Sequence, residues 1–296
     1  MNVNSNMRYM SNMSNNKDLA YKNPHPRDKL IVFDEPSHTY TINGEDGYTS
    51  ATTFVHSNFP AFDEDLIIKR MMKSKNWEKN KYYPMTVEQI KEAWEINRDE
   101  AAKAGTIMHE MIEDYYNGKY TLDTLPADSI EMNYFKEFRN DYEIACNLTP
   151  FRTEWRVFHE ELKIAGTIDM VFKNEDNTLS IVDWKRCRQM KHMINTNWPQ
   201  PRSLNPKLQR LFDTNYYHYT LQLNLYKHIL ETKYNVKVKE LILVNLHPNN
   251  ECKSYEFYEV IVLSNEEIKG LYEWSGKTVP HAVSRGSEAE NRPTRG

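Results

Sequence analysis

The sequence predicts an α/β fold of the α+β kind, with a mixed central sheet flanked by helices. Three observations carry that expectation. Helical signals fill the stretch from Phe62 to Cys146. Runs of β-branched and apolar residues separated by polar turns follow at 151–159, 163–173 and 179–185. A helical stretch at 217–234 and two further strand-like runs, 239–247 and 255–262, come last. Helices first, then strands, then a helix returning onto them is the order of a layered mixed fold.

The elements can be justified in turn. Residues 1–27 are polar and without periodicity, so they are expected to be disordered, and 275–296 likewise. One domain is expected between them, 28–274, with a helical part at about 60–148 and a strand-rich core at about 150–265. Ile31-Val32-Phe33 and His38-Thr39-Tyr40-Thr41-Ile42 read as a short hairpin that turns again at Asn43-Gly44. A helix is expected after Phe62-Asp63-Glu64. Thr86 with Gln89 three residues on is a capping box, and the helix it opens runs past Trp94 towards Tyr116, ending near Asn117-Gly118. Ser129 to Cys146 reads as one further helix. Lys173-Asn174-Glu175-Asp176-Asn177 is a turn between two strands, which makes 163–185 a hairpin. Residues 186–215 read as a long irregular segment.

Composition narrows the function classes. Of the 296 residues 39% are hydrophobic, tyrosines number 19 and glycines 9, and the mean hydropathy is −0.79, as in a soluble protein with many polar loops. No apolar run approaches a membrane span, and the Asn-, Ser- and Met-rich start has no apolar core of a secretory signal. Cys146, Cys187 and Cys252 have no metal-ligand spacing and read as reduced thiols of a cytosolic or nuclear protein. A net charge of −4 does not announce a nucleic-acid binder. It does not exclude one either, because a groove can concentrate positive charge locally.

The most informative residues are Asp169, Asp183 and Lys185. Side chains alternate along a strand, so Asp183 and Lys185 share a face. Asp183 ends the apolar run Leu179-Ser180-Ile181-Val182, where an acid costs free energy unless it is paired or metal-bound. Two carboxylates and an ammonium would converge at the open end of a small sheet, and hard oxygen ligands of this kind suit Mg²⁺ or Mn²⁺. An isolated Asp-x-Lys is, by contrast, usually a solvated strand face. Gly105, His109 and Glu113 are spaced to share one helix face. A glycine within a helix costs roughly 1 kcal/mol relative to alanine, so Gly105 suggests a close backbone approach. His109 is either a ligand or a hydrogen-bonded core histidine. Gln222 and Tyr226 are likewise one turn apart, beside the apolar stripe of Leu223 and Leu230.

As a set these residues resemble the PD-(D/E)XK nuclease superfamily, in its RecB-like exonuclease branch. The order is Gly-x-x-x-His-x-x-x-Glu (Gly105, His109, Glu113), then Glu154, then Gly-x-x-Asp (Gly166, Asp169), Asp-x-Lys (Asp183, Lys185) and Gln-x-x-x-Tyr (Gln222, Tyr226), covering roughly 105–226. Tyr48-Thr49-Ser50-Ala51-Thr52 and the Asn- and Lys-rich composition further resemble nucleases of phages and large DNA viruses, which would place the protein in an infected host cell. Ile168 rather than Pro precedes Asp169, as in many RecB-like members. The resemblance implies a restriction-endonuclease-like core with an N-terminal helical part. It implies one or two Mg²⁺ or Mn²⁺ ions held by His109, Asp169, Asp183 and the carbonyl of Val182, with Glu154 a further acid for a second ion. Lys185 would orient or activate water and stabilise phosphate charge, while Gln222 and Tyr226 would shape the site and touch substrate. Three cysteines cannot make a four-cysteine iron–sulfur set, so no cluster is expected.

The implied activity is DNA phosphodiester hydrolysis, most simply exonucleolytic, on ends or single strands in replication, recombination or repair. An RNA endonuclease of the same fold and a catalytically idle nucleic-acid-binding accessory protein are the alternatives. After Lys185 the chain interleaves cations (Arg186, Arg188, Lys191, Arg202, Lys207, Arg210) with Trp198, Phe212 and Tyr216. Cations track phosphates and aromatic faces stack on unpaired bases, so this segment is expected to contact a DNA strand. A solvated loop is its plainer reading. No membrane partner is expected.

Overall fold

The computed structural model describes residues 18–190 and 201–274. Lys191, Trp198 and the two terminal stretches 1–17 and 275–296 lie outside the described residues. The fold is mixed α/β, with a mixed sheet between helical layers, as the sequence predicts.

The helical part follows the capping signals. Helix α1 spans Leu19–Lys22. The hairpin pairs β1 (Ile31–Asp34) with β2 (Thr39–Ile42), Ile31 opposite Ile42. Strand β3 (Thr49–Ser50) leads into α2 (Ala51–His56), and α3 covers Glu64–Met72 with Asp63 as its cap. Helix α4 runs from Val87 to Tyr116, and both halves of the Thr86/Gln89 capping box are made. Helix α5 covers only Ile130–Phe138. The continuation expected to Cys146 widens into a π-helical turn at Arg139–Ile144, so 129–146 is not one regular helix.

The sheet is organised around one hairpin. Strands β4 (Thr149–His159) and β5 (Ile164–Lys173) are antiparallel over most of their length. The other edge of β5 carries two partners, β3 parallel at Ile164 and Ala165 and β6 (Leu179–Lys185) antiparallel from Met170 to Lys173. These registers leave 166–169 without a strand partner on that edge among the described residues. Strand β7 (Val238–Asn245) runs parallel to β6, and β8 (Glu256–Glu259) is antiparallel to β7. Helix α6 (Asn215–Lys233) and α7 (Asn265–Glu273) complete the fold.

Two apolar layers sandwich the sheet. On one side Trp155, Ile164, Ile168 and Ile181 pack with α2, α6 and α7. On the other Met170, Phe172, Val182 and Trp184 pack with Met108, Ile112 and Tyr116 of α4 and Phe135 and Phe138 of α5. A small separate core, Ile68, Ile90 and Trp94, ties α3 to the first half of α4. No helix among the described residues is long and apolar enough to cross a membrane.

Residues 18–27, expected to be disordered, are folded. From Asp18 the chain is folded onto the sheet. Leu19 is buried, Asn23 donates to the Phe151 carbonyl, and the Arg27 guanidinium lies 3.9 Å from the centre of the Phe158 ring while pairing with Glu160 at 2.8 Å. These partners are distant in sequence, so no local pattern announces them.

Candidate functional site

The site forms where β5 and β6 part. Met170 and Val182 are the last paired residues of the two strands, so Asp169 and Asp183 flank the divergence. Asp169 Oδ2 accepts a 2.9 Å hydrogen bond from the backbone N–H of Trp184, which bridges the gap. From the α4 side His109 brings Nδ1 to 3.6 Å from Asp169 Oδ2. From β4 comes Glu154. One ligating atom each from His109, Glu154 and Asp169 lie within 4.8 Å of one another.

Glu154 is held in an unusual way. Its φ is +43°, left-handed in the middle of a strand. Such a conformation costs a non-glycine residue on the order of 1–3 kcal/mol and persists only where the surroundings enforce it. The result is a break in the pleat. Thr153 faces α4, where Asn117 donates to its hydroxyl, whereas Trp155, two residues on, packs in the opposite layer. On β5 the same switch separates Ile168 from Met170. The break falls at Glu154 and Asp169, where the two strands oppose each other.

Asp183 and Lys185 share a face, as alternation predicts. Lys185 Nζ lies 3.0 Å from Asp183 Oδ2, with both side chains almost fully buried. Among the described residues Asp183 Oδ2 has no hydrogen-bond partner of good geometry, so the contact is ionic rather than directional. The ammonium also sits 4.8 Å from the centre of the Tyr219 ring on α6. Burial pushes the Asp183 carboxyl up to about 7, and the nearby Asp169 adds to the rise. Lys185 and, less, His109 oppose it. Burial and the charges of Asp169 and Glu113 push Glu154 well above the ordinary carboxylate value. Glu113, one turn beyond His109, is raised too, first by burial and then by Asp114. Crowded acids with a cation wedged among them are the electrostatic mark of a site that favours added positive charge.

The remaining sequence candidates occupy distinct places. Gly105 is buried on α4. Val182 is buried and in register with both Met170 and Ile242. Gln222 donates to the Tyr226 hydroxyl at 3.2 Å and to Thr52 Oγ1 at 3.3 Å. Tyr226 lies against Gly166, where an added Cβ would come within 2.7 Å of the ring and 2.9 Å of Ala51 Cβ. The Gly-x-x-Asp and Gln-x-x-x-Tyr motifs are thus one packing unit. Gly166→Ala is expected to lower stability by about 1–3 kcal/mol in urea unfolding, the usual cost of overpacking. A change below about 0.5 kcal/mol, the scale of a neutral surface substitution, would show that the ring can move aside.

The basic segment is less uniform than its sequence. Arg186 is paired with Glu131 at 2.8 Å, so its charge is already matched. Arg188 is exposed. Arg202 stacks 4.1 Å from the Phe212 ring centre and donates to the Gln209 carbonyl. The stem of Lys207 packs on Gly270 of α7, and Arg210 is paired with Glu267. Residues 203–205 are anchored on Asn58, Ser203 Oγ donating to its carbonyl at 3.0 Å. Trp198 lies outside the described residues.

Sequence reasoning missed Asn245. Its side chain accepts from the Cys187 N–H and donates to the Cys187 carbonyl, both at 2.8 Å, which fixes the turn directly after Lys185. A buried asparagine ending the apolar run Leu241-Ile242-Leu243-Val244 was the available signal.

No family model matches the chain, and no curated protein matches it. Among solved structures, one described as the crystal structure of SSO0001 is similar over 56% of this chain and 63% of that one, at 13% identity and a TM-score of 0.25.

Proposed function

We propose that the protein is a metal-dependent nuclease that hydrolyses DNA phosphodiester bonds, acting on ends or single strands. The observation that carries this reading is the convergence of His109, Glu154 and Asp169 beside the buried Asp183–Lys185 pair. The donor set fits Mg²⁺ or Mn²⁺: carboxylate oxygens and one imidazole, no thiolate, and a buried Asp183 oxygen whose contact among the described residues is the Lys185 ammonium at 3.0 Å. His109, Asp169, Asp183 and Glu154 would hold the ion, with the Val182 carbonyl at the strand divergence a further donor. Such an ion supplies positive charge beside a phosphate and acidifies bound water.

The protein's own residues do the rest. Lys185 carries a compact positive charge at the floor of the site, where a phosphate gains negative charge during hydrolysis. Asp183 keeps that ammonium in place. The Trp184 N–H fixes the Asp169 carboxylate through Oδ2, the oxygen that His109 Nδ1 approaches to 3.6 Å. Tyr226 and Gln222 brace the wall behind Gly166.

Two measurements test the reading. His109→Ala is expected to weaken Mn²⁺ binding by about tenfold or more in calorimetry, at least what loss of a ligand's supporting partner costs. Unchanged affinity would make His109 a packing residue. Wild-type protein with Mg²⁺ or Mn²⁺ should degrade end-labelled linear DNA and spare closed circles. Cleavage of circles would make it an endonuclease, preference for RNA would change the substrate, and no cleavage of any would overturn the reading.

A further inference from the structure

Positive charge outside the site is concentrated in one place. Residues 69–81 contain Lys69, Arg70, Lys73, Lys75, Lys79 and Lys81 against a single acid, Glu78. The stretch therefore carries +5 in a chain whose net charge is −4, which leaves −9 for the remainder. All six cations are exposed, and among the described residues none of them forms an ion pair. The lobe uses other cations for its own structure: Lys91 pairs with Asp65 at 3.0 Å and Arg98 with Glu64 at 2.9 Å, fastening α3 to α4. Lys69 and Arg70 stand in the last turn of α3, where a cation complements the helix dipole. Lys75 and Lys81 lie outside any helix and have no such role. Like charges this close repel one another within a Debye length of about 10 Å, and a polyanion relieves that cost.

Aromatic side chains are set among these cations. Tyr83 is 47% exposed and meets the Trp77 ring edge-on at 5.9 Å, and Lys81 Nζ lies 4.6 Å from the Tyr82 ring centre. An exposed ring between cations, here Tyr83, is what an unpaired base stacks on. A strand is narrow enough to engage the patch without covering the acidic remainder of the molecule. A flat anionic membrane would also face the acidic remainder of the molecule.

The patch is rigidly tied to the candidate site. Trp77 and Tyr82 of the patch pack on the lobe core at Ile90 and Trp94, in the first half of α4, the continuous helix from Val87 to Tyr116 that carries His109 near its far end. From Val87 to His109 is roughly 33 Å at 1.5 Å per residue. That is about ten nucleotides of a strand stacked as in a duplex, at 3.4 Å each.

We infer that the exposed face at 69–81 is a second contact for single-stranded nucleic acid, gripping the same strand that enters the site about ten nucleotides away. The reach rests on the site proposed above; the nucleic-acid contact itself does not. The test uses the full chain in EDTA, with fluorescent oligothymidylates of 8 and 30 nucleotides, and the variant Lys73→Gln/Lys75→Gln/Lys79→Gln/Lys81→Gln. These exposed positions should leave the melting temperature unchanged. The variant is expected to bind the 30-mer about tenfold more weakly, with a log–log salt slope shallower by about 3, since each phosphate contact on a single strand contributes about 0.7. Its affinity for the 8-mer should change little. Equal losses on both lengths overturn the ten-nucleotide reach. An unchanged 30-mer affinity overturns the contact, and lost binding to phosphatidylserine vesicles alone would assign the patch to membranes. If the wild type cleaves nothing but the variant still loses the 30-mer, the catalytic reading falls and the contact stands.

Discussion

Asp183→Asn should abolish metal-dependent cleavage and at the same time make the folded protein more stable at neutral and alkaline pH. The two effects have one cause. The Asp183 carboxyl is buried, and burial lifts it from 3.8 to about 7 in spite of Lys185 beside it. A carboxyl whose folded value lies above its unfolded value favours folding in its protonated form. Its penalty is absent below about pH 4, grows as pH rises towards 7, and is complete above that. At about 1.4 kcal/mol per pH unit the ceiling is ~4 kcal/mol, and relaxation of a coupled acidic cluster will reduce it. Asparagine keeps the shape and cannot ionise. Melting curves of the two proteins should therefore coincide near pH 4 and separate with the variant higher at pH 8. Cleavage should fall by about a thousandfold or more, the scale of losing the positive charge that Asp183 would hold against the transition state. A folded variant with near-normal activity would remove Asp183 from the site, and an equal melting point at pH 8 would mean that its charge is well solvated.

How much of this was legible in the sequence depends on the range of the forces involved. The Thr86/Gln89 cap, the run to Tyr116 and the shared face of Gly105, His109 and Glu113 are local, and they stand where spacing predicts. The hairpin with Asp169, Asp183 and Lys185 is also local, one turn joining two apolar strands. Alternation placed Asp183 beside Lys185 correctly. It could not show that alternation breaks at Glu154, because the left-handed φ there answers to packing from both layers and not to a residue preference. Glu154 accordingly read as a further acid for a second ion, whereas its carboxylate stands with His109 and Asp169. Arg186 read as a free cation because Glu131, its partner, is 55 positions away. The folding of residues 18–27 was hidden for the same reason.

Lys185→Met should lose catalysis while keeping metal affinity at pH 8, and it separates chemistry from architecture. An ammonium has three donors and no lone pair, so it is no metal ligand. Methionine preserves the unbranched stem among buried neighbours while removing the charge. The direct expectation is a fall in kcat of roughly a hundred- to a thousandfold with KM changed far less, as for loss of one oriented stabiliser of developing charge. Arginine should not rescue it, because a planar fork neither fits a space 3.0 Å from Asp183 nor shares a proton as an amine does. The substitution also removes the cation that holds the Asp183 carboxyl down, so that carboxyl rises further. Mn²⁺ then competes with a more tightly held proton, and its affinity should fall below that of the wild type near pH 6 yet recover by pH 8. Calorimetry at both pH values reads this directly. Affinity lost equally at the two would mean that Lys185 shapes the acidic cluster, and activity within tenfold of wild type would mean that the charge is supplied elsewhere.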